Sequence, residues 1–324
     1  MTTRISPYQL GATLYMPATR PDLLDVILHQ KIPDLRSMVV CLEDAVREDE
    51  VAAGLANLQQ CLHTLRQQDR GASPLVFIRP RHPMMALELL AMTGIEAIDG
   101  FVLPKFDNHS FAAWYAVVQA SPPHMLFMPT LETAQMLDAL AVRELCARLQ
   151  DEGIKSRILA LRIGGNDLLS CLRLRTHHAH TLYDGPLGYV VAMLVTHFVP
   201  AGFHLTAPVF EYFQDHTVLQ AEFQRDLLHG LVGKTVIHPS QITVIHQALK
   251  VNSHDYEAAL RILDDTMPAV FQFEGAMCEP ATHHHWAVQV IERAKHFGCH
   301  LHAVAVDEEA DKVHKDNLHL TASK

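Results

Sequence analysis

Met128-Pro129-Thr130-Leu131-Glu132-Thr133-Ala134 decides how the rest of the chain is read. The apolar run from His124 to Pro129 reads as a buried strand that leads to a carboxylate, Glu132, with a helical pattern directly after it. A second junction of the same kind follows about one βα unit later. There Ile158-Leu159-Ala160-Leu161-Arg162-Ile163 runs into Gly164-Gly165-Asn166-Asp167-Leu168. Two acids, each at the carboxyl end of a hydrophobic strand, would face one mouth of a parallel barrel, where (β/α)₈ proteins keep their chemistry. Two hard oxygen donors suit Mg²⁺, which takes few protein carboxylates and leaves positions for water and substrate. The plainer account is that Glu132 and Asp167 cap the helices after them, since acids favour helix N-termini.

Outward from this pair the alternation continues. Strands are expected at 11–17, 37–42, 74–78, 98–103, 124–129, 158–163, 203–208 and 234–237. Helices are expected between them, at about 21–29, 48–68, 83–92, 110–119, 133–150, 167–172, 187–199 and 218–229. Eight strand–helix alternations without a long linker predict an α/β fold, a (β/α)₈ TIM barrel. Polar residues gather at the strand ends: Glu43, Asp44, Arg79, Lys105, Glu132, Asp167 and His238. A dinucleotide-binding sheet would need G-x-G-x-x-G after the first strand, and the sequence has none there. Beyond the barrel, 253–266 and 285–297 read as helices, so the barrel carries a C-terminal helical extension.

Composition narrows the function classes. The chain has 324 residues, 49% of them hydrophobic, and a net charge of −10 without a Lys/Arg block. Nucleic acid and an anionic membrane surface are therefore not expected as partners. The cysteines form no C-x-x-C pair, no apolar signal core opens the chain, and no apolar window reaches the length of a span, so a cytoplasmic setting is expected. The run His283-His284-His285 reads as solvated helix surface, because adjacent side chains on a helix point apart.

Seven segments then match a known family in order: Tyr15-Met16-Pro17-Ala18-Thr19-Arg20-Pro21; Leu42-Glu43-Asp44-Ala45-Val46; Ile78-Arg79; Leu103-Pro104-Lys105; Leu131-Glu132-Thr133-Ala134; Gly164 to Leu168; and Gly233-Lys234 with Ile237-His238-Pro239-Ser240-Gln241-Ile242. Glu274-Gly275-Ala276-Met277-Cys278-Glu279-Pro280 follows as the counterpart of a C-terminal D-G-x-M-[IV]-D-x-P stretch. Over about residues 11–298 the chain resembles the citrate lyase β-subunit-like branch of the HpcH/HpaI aldolase family, TIM-barrel carbon–carbon lyases. The resemblance implies a Mg²⁺-dependent lyase (Mn²⁺ being the other ion considered) with Glu132 and Asp167 as metal ligands. It implies Arg79 as substrate-binding arginine, Glu43 and Asp44 as the acidic pair beside the metal waters, and Arg20 and Lys105 in the same substrate-binding set. It also implies a homo-oligomer, a trimer or a multiple of one, in which 271–302 forms a lid or oligomerisation segment over a neighbouring site. The barrel would then occupy 1–270, and 303–324 would be a polar, disordered tail. Three departures stand out. Arg81 replaces an Asn after Arg79, Asn166 replaces the Glu of G-x-E-D-L, and Glu279 replaces the C-terminal Asp.

The chemistry follows from these residues. Cleaving a carbon–carbon bond beside a hydroxyl yields a carbonyl and an enolate. A metal can act on it as Lewis acid and template, and Arg79, always charged, can hold a carboxylate or enolate through two parallel bonds. Glu279 is the candidate acid that protonates the enolate carbon. Arg79 as a structural ion pair, Glu279 as a surface acid and Lys105 as a Schiff base are the competing roles. The substrate is expected to be a 3-hydroxyacyl-CoA thioester or related hydroxy acid. The alternatives are an aldolase for a free 2-oxo acid and a barrel that binds a small ligand without turnover.

Overall fold

Why the strands form where they do is visible in their inward positions. The structure, a computed structural model, describes residues 5–300 apart from 29, 30, 69, 72 and 215; the expected polar tail therefore lies outside the described residues. The strands are β1 (Gly11–Pro17), β2 (Ser37–Cys41), β3 (Leu75–Arg79), β4 (Gly100–Leu103), β5 (Leu126–Leu131), β6 (Leu161–Ile163), β7 (Leu205–Thr206) and β8 (Gly233–Val236). The helices of the same unit are α1 (Leu23–Leu28), α2 (Val51–Gln67), α3 (Pro83–Leu90), α4 (Phe111–Ala120), α5 (Ala139–Arg148), α6 (Glu152–Lys155), α7 (Gly165–Cys171), α8 (Leu187–Phe198), α9 (His216–Leu228) and α10 (Ser240–Leu249). All eight strands are parallel, in the order β7-β6-β5-β4-β3-β2-β1-β8. Ala207 bridges Lys234, with Ala207 N donating to Gly233 O at 2.7 Å, and this pairing brings β7 to β8. The expected TIM barrel is what the chain forms.

Inside the barrel, Leu10, Val39, Phe77, Val102, Met128 and Leu159 pack into one buried cluster. Each such side chain contributes roughly 1.5–3 kcal/mol by leaving water. Strand side chains alternate with period two, so the next inward positions on β2, β3 and β5 are Cys41, Arg79 and Thr130. These line a cavity at the carboxyl ends of the strands. The apolar cluster is thus the base on which the polar mouth stands. On the outer side, Lys234 of β8 is fully buried and bonded to Glu222 and Asp226 of α9, each at 2.8 Å. Tyr183 Oη donates to Asp226 at 2.7 Å.

Two of the differences from the sequence reading bear on the site. The single helix expected over 133–150 is broken into a 3₁₀ turn, Ala134–Leu137, and α5. Asp138 is the cause: its backbone is extended and its carboxylate accepts from Leu140 N at 2.9 Å, which starts a new helix. Strand β5 also reaches Leu131 rather than Pro129, so Glu132 follows the last paired residue directly.

From Lys250 the chain forms a second compact unit. It contains α11 (Ser253–Ile262), a hairpin of β9 (Phe271–Phe273) and β10 (Ala276–Cys278), and α12 (Pro280–Phe297). The hairpin turns on Glu274 and Gly275, with φ of 46° and 83°, the two positive values that a type I′ turn requires. Phe273 and Cys278 are buried against Ala258, Ala259, Ile262, Ala287 and Val290. The apolar character of residues 271–280 is therefore largely used within this unit, and Met277 is the residue left 63% exposed.

Candidate active site

Six of the expected site residues meet at one mouth. Arg79, the last residue of β3, points across it and is buried. Its Nη2 lies 2.7 Å from Glu43 Oε2, 3.0 Å from Glu132 Oε1 and 3.5 Å from Asp44 Oδ2. Burial opposes the charge on Arg79, but Glu132, Tyr15 and Glu43 outweigh it and raise its pKa. All three ion pairs use one end of the guanidinium, and the buried Nε has no protein partner. Arg79 thus both holds the acids in place and keeps a donor in reserve.

Glu132 is 3% exposed. Lys105 N donates to its Oε1 at 2.7 Å, from a turn in which Lys105 adopts a left-handed φ of 48°. Such a backbone is uncommon outside glycine and persists where surrounding contacts fix it. Burial raises the Glu132 carboxyl to about 7, against the lowering effects of Arg79 and the Lys105 amide, with the charges of Asp167 and Glu43 adding to the rise. Asp167 sits in the first turn of α7, lines the same cavity, and accepts no hydrogen bond from the described residues. Neither acid caps its helix through its side chain, and both line the same cavity. The donor set fits a divalent cation. One acid is kept protonation-prone by burial and by the other's charge, and a cation between them relieves both. No group of three or more His, Cys, Asp or Glu side chains is poised for a metal among the described residues. A two-carboxylate site with positions left for water and substrate is the Mg²⁺ pattern.

The acidic pair beside this centre is polarised. Burial raises Glu43, while Asp44 is lowered against burial by its bond from Glu43 and by the charges of Arg79 and Lys105. Lys105 Nζ sits on Glu43 and lies 3.7 Å from Asp44. Burial works to deprotonate Lys105, but Glu43 and Asp44 outweigh it and raise its pKa. That is the reverse of what a Schiff-base lysine needs. The departures from the family pattern also find places. Arg81 bonds Glu48 at 2.8 Å and the carbonyl of Val46, pinning the Glu43–Glu48 loop. Asn166 donates to Glu211 at 3.1 Å on the cavity rim.

The other two expected residues have partners of their own. Arg20 is exposed and bound to Asp22 through Nε and Nη2 at 2.8 and 2.7 Å. Glu279 belongs to the second unit, where its Oε2 accepts from Thr282 Oγ1 at 3.0 Å. His238 stacks on Phe213 and bonds Ser240, fixing the turn after β8. His284 and His285 are exposed on α12, as expected of a solvated face. Three cavity residues escaped the sequence reading: Tyr15, Arg162 and Glu211. The signal for Arg162 was present, a lone guanidinium inside an otherwise apolar strand run.

The cavity holds about 460 Å³. A larger one, about 680 Å³, lies at the amino-terminal ends of the strands, among Ile5, Leu126, Ile158, Phe203 and His204. It is lined by no carboxylate, so the chemistry belongs to the carboxyl end. No helix among the described residues is long and apolar enough to cross a membrane.

Comparison with known proteins bears on the fold and the family. The chain is 26% identical over 253 residues to a (3S)-malyl-CoA thioesterase of Cereibacter sphaeroides, covering 77% of this chain and 80% of that one. It is similar in fold to the protein CitE of Mycobacterium tuberculosis, solved with magnesium, acetoacetate and coenzyme A. The TM-score is 0.65 at 22% identity, over 88% of this chain and 98% of that one. The citrate lyase β subunit of the same organism, solved with oxaloacetate and magnesium, gives a TM-score of 0.52 at 20% identity, over 74% and 98% of the two chains. Residues 4–299 match the family described as C-C bond lyase of the TIM-barrel fold, and the chain belongs to that family.

Proposed function

We propose that the chain is a Mg²⁺-dependent carbon–carbon lyase that cleaves or forms a 3-hydroxyacyl-CoA or a related hydroxy acid through an enolate. The observation that carries this reading is the buried Glu132 with Asp167 lining the same cavity at one barrel mouth, beside an arginine held by Glu43, Asp44 and Glu132. The ion, when bound, supplies a Lewis acid and a template for substrate oxygens. The chain supplies the rest. Arg79 fixes Glu132 and Glu43 and sets a positive charge on the cavity wall for a developing negative oxygen. Lys105 adds a second positive charge on the same side. Tyr15 is buried, which raises its pKa and keeps the phenol protonated as a hydrogen-bond donor. Structures similar to this one contain magnesium with coenzyme A or short acids, which supports the choice of ion and substrate class.

A second reading, hydrolysis of the thioester, is favoured by the relatives named (3S)-malyl-CoA thioesterase. The test is product analysis. Hydroxyacyl-CoA thioesters and free hydroxy acids are incubated with the protein and Mg²⁺, and carbonyl product is measured beside free CoA. The lyase reading expects a carbonyl product in step with substrate loss. Free CoA without a carbonyl product assigns the thioesterase. The metal site has its own check. Glu132→Ala and Asp167→Ala should each abolish Mg²⁺ binding by calorimetry, and unchanged affinity in both removes the metal assignment.

A further inference from the structure

Arg162 is a buried cation with no counter-ion. Its side chain lines the floor of the active-site cavity and is 1% exposed. Nη1 reaches Thr13 Oγ1 at 3.4 Å and Met128 Sδ at 3.7 Å, and Nη2 bonds Thr235 Oγ1. Its Nε has no partner, and no carboxylate among the described residues pairs with it. The ring of Tyr15 lies 5.3 Å from the guanidinium carbon. Arg79, at the same cavity, is repulsive to it. On the neighbouring strand Thr130 stands in register with Arg162, lines the same cavity, is 3% exposed, and its hydroxyl also lacks a partner.

An isolated ion in a low-dielectric interior is costly, by several kcal/mol. Buried polar atoms are almost always bonded, and the exceptions call for an explanation. Arg79 shows what a charge-compensated arginine looks like at the same mouth: three carboxylates surround it. Arg162 has hydroxyls and a thioether instead, acceptors that orient a guanidinium without neutralising it. Arg162 and Thr130 both line the cavity in which a ligand would sit.

We propose that Arg162, with Thr130, forms a carboxylate-binding position on the cavity floor, and that the ligand is a short dicarboxylic acid. One end of it lies towards Glu132 and Asp167 and the second carboxylate meets the Arg162 guanidinium. Its role as substrate rests on the lyase reading; the binding position itself does not. The arrangement explains why this barrel tolerates a charge where an apolar side chain would pack, and it gives the cavity a preference for two negative groups over one.

The experiment compares isosteric ligands that differ by one charge. Malonate and malonamate, and succinate and succinamate, are titrated by calorimetry in Mg²⁺ into the wild-type protein, Arg162→Met and Arg162→Lys. The wild type should bind at least one diacid on the order of 10²-fold more tightly than its monoamide, the scale of a buried charge pair losing one partner. In Arg162→Met that preference should vanish, with Mg²⁺ affinity unchanged; Arg162→Lys should keep part of it. Melting is the second readout. Removing an uncompensated charge should leave the melting temperature of Arg162→Met equal to or above wild type, whereas loss of a structural cation lowers it. Equal affinity of wild type for diacid and monoamide, or the same preference in Arg162→Met, overturns the proposal, as does failure of every acid to bind. A diacid preference that depends on Arg162 without any cleavage leaves the position standing and removes the lyase reading. Cleavage without the preference does the opposite.

Discussion

Glu132 owes its position to two neighbours of different kinds, and each makes a separate prediction. Arg79 holds both of its oxygens, at 3.0 and 3.3 Å. Arg79→Lys keeps the charge but loses the planar fork that reaches Glu43 and Glu132 together. A loss on the order of 10²-fold in turnover is expected, the scale of one oxyanion-stabilising group; kinetics near wild type would return Arg79 to a purely structural role. Gly164 supplies space. A Cβ there would meet Glu132 Oε2 at 2.3 Å and Glu132 Cβ at 2.4 Å. Gly164→Ala must push Glu132 aside, so Mg²⁺ affinity by calorimetry should fall about 10–100-fold while the barrel's circular dichroism is retained. Unaltered affinity would show that the carboxylate is not held where the cation needs it. Much of this was legible in the sequence, because acids at the ends of hydrophobic strands face the mouth of any parallel barrel. Arg162 was not. Its significance lies in the absence of a partner, and partners come from strands far apart in the chain, such as β1 and β8.

At the scale of elements, α10 shows how a helix seals a barrel edge. His246 projects from it to β1, and Ala12 N donates to His246 Nε2 at 3.2 Å. A nitrogen that accepts a hydrogen bond carries no proton, so the imidazole is neutral in the folded state. Burial lowers its pKa to about 4 from an ordinary 6.5, Arg36 lowers it further, and Asp34 partly opposes them. Above pH 6.5 neither folded nor unfolded chain protonates the ring. As pH falls from 6.5 towards 4 the unfolded chain takes up a proton that the folded one refuses, so stability is lost through that window. The loss should reach about 2–3 kcal/mol. Chemical denaturation at stepped pH should show His246→Gln losing less stability than wild type between those limits, and parallel curves would exclude His246 as the source. Element types were readable from periodicity, and element ends were not always. Asp138 stops a pattern that is continuous in hydrophobicity, and the hairpin β9–β10 has strands of three residues each, too short to show alternation.

For the whole molecule the open question is which chain supplies the proton to the enolate carbon. The residues lining the cavity all come from the first compact unit, and Glu279 comes from the second, where it begins α12. Resemblance to the family implies that this segment serves a neighbouring subunit, and Met277, exposed beside Glu279, is an apolar side chain suited to such a contact. A closed ring of identical subunits repeats one contact at every site. Asp167→Ala and Glu279→Gln should therefore each be inactive alone, the first for want of a metal ligand and the second for want of an acid. Mixed under conditions that exchange subunits, some sites receive an intact Glu132–Asp167 pair from one chain and an intact Glu279 from another. Activity should then return in proportion to mixed oligomers counted by mass spectrometry. Exchange without any return of activity would place Glu279 in its own chain's site or outside catalysis. Activity in Glu279→Gln alone would transfer the acid's role to another group, and Lys105, protonated beside Glu43, is the next cation at the mouth to test.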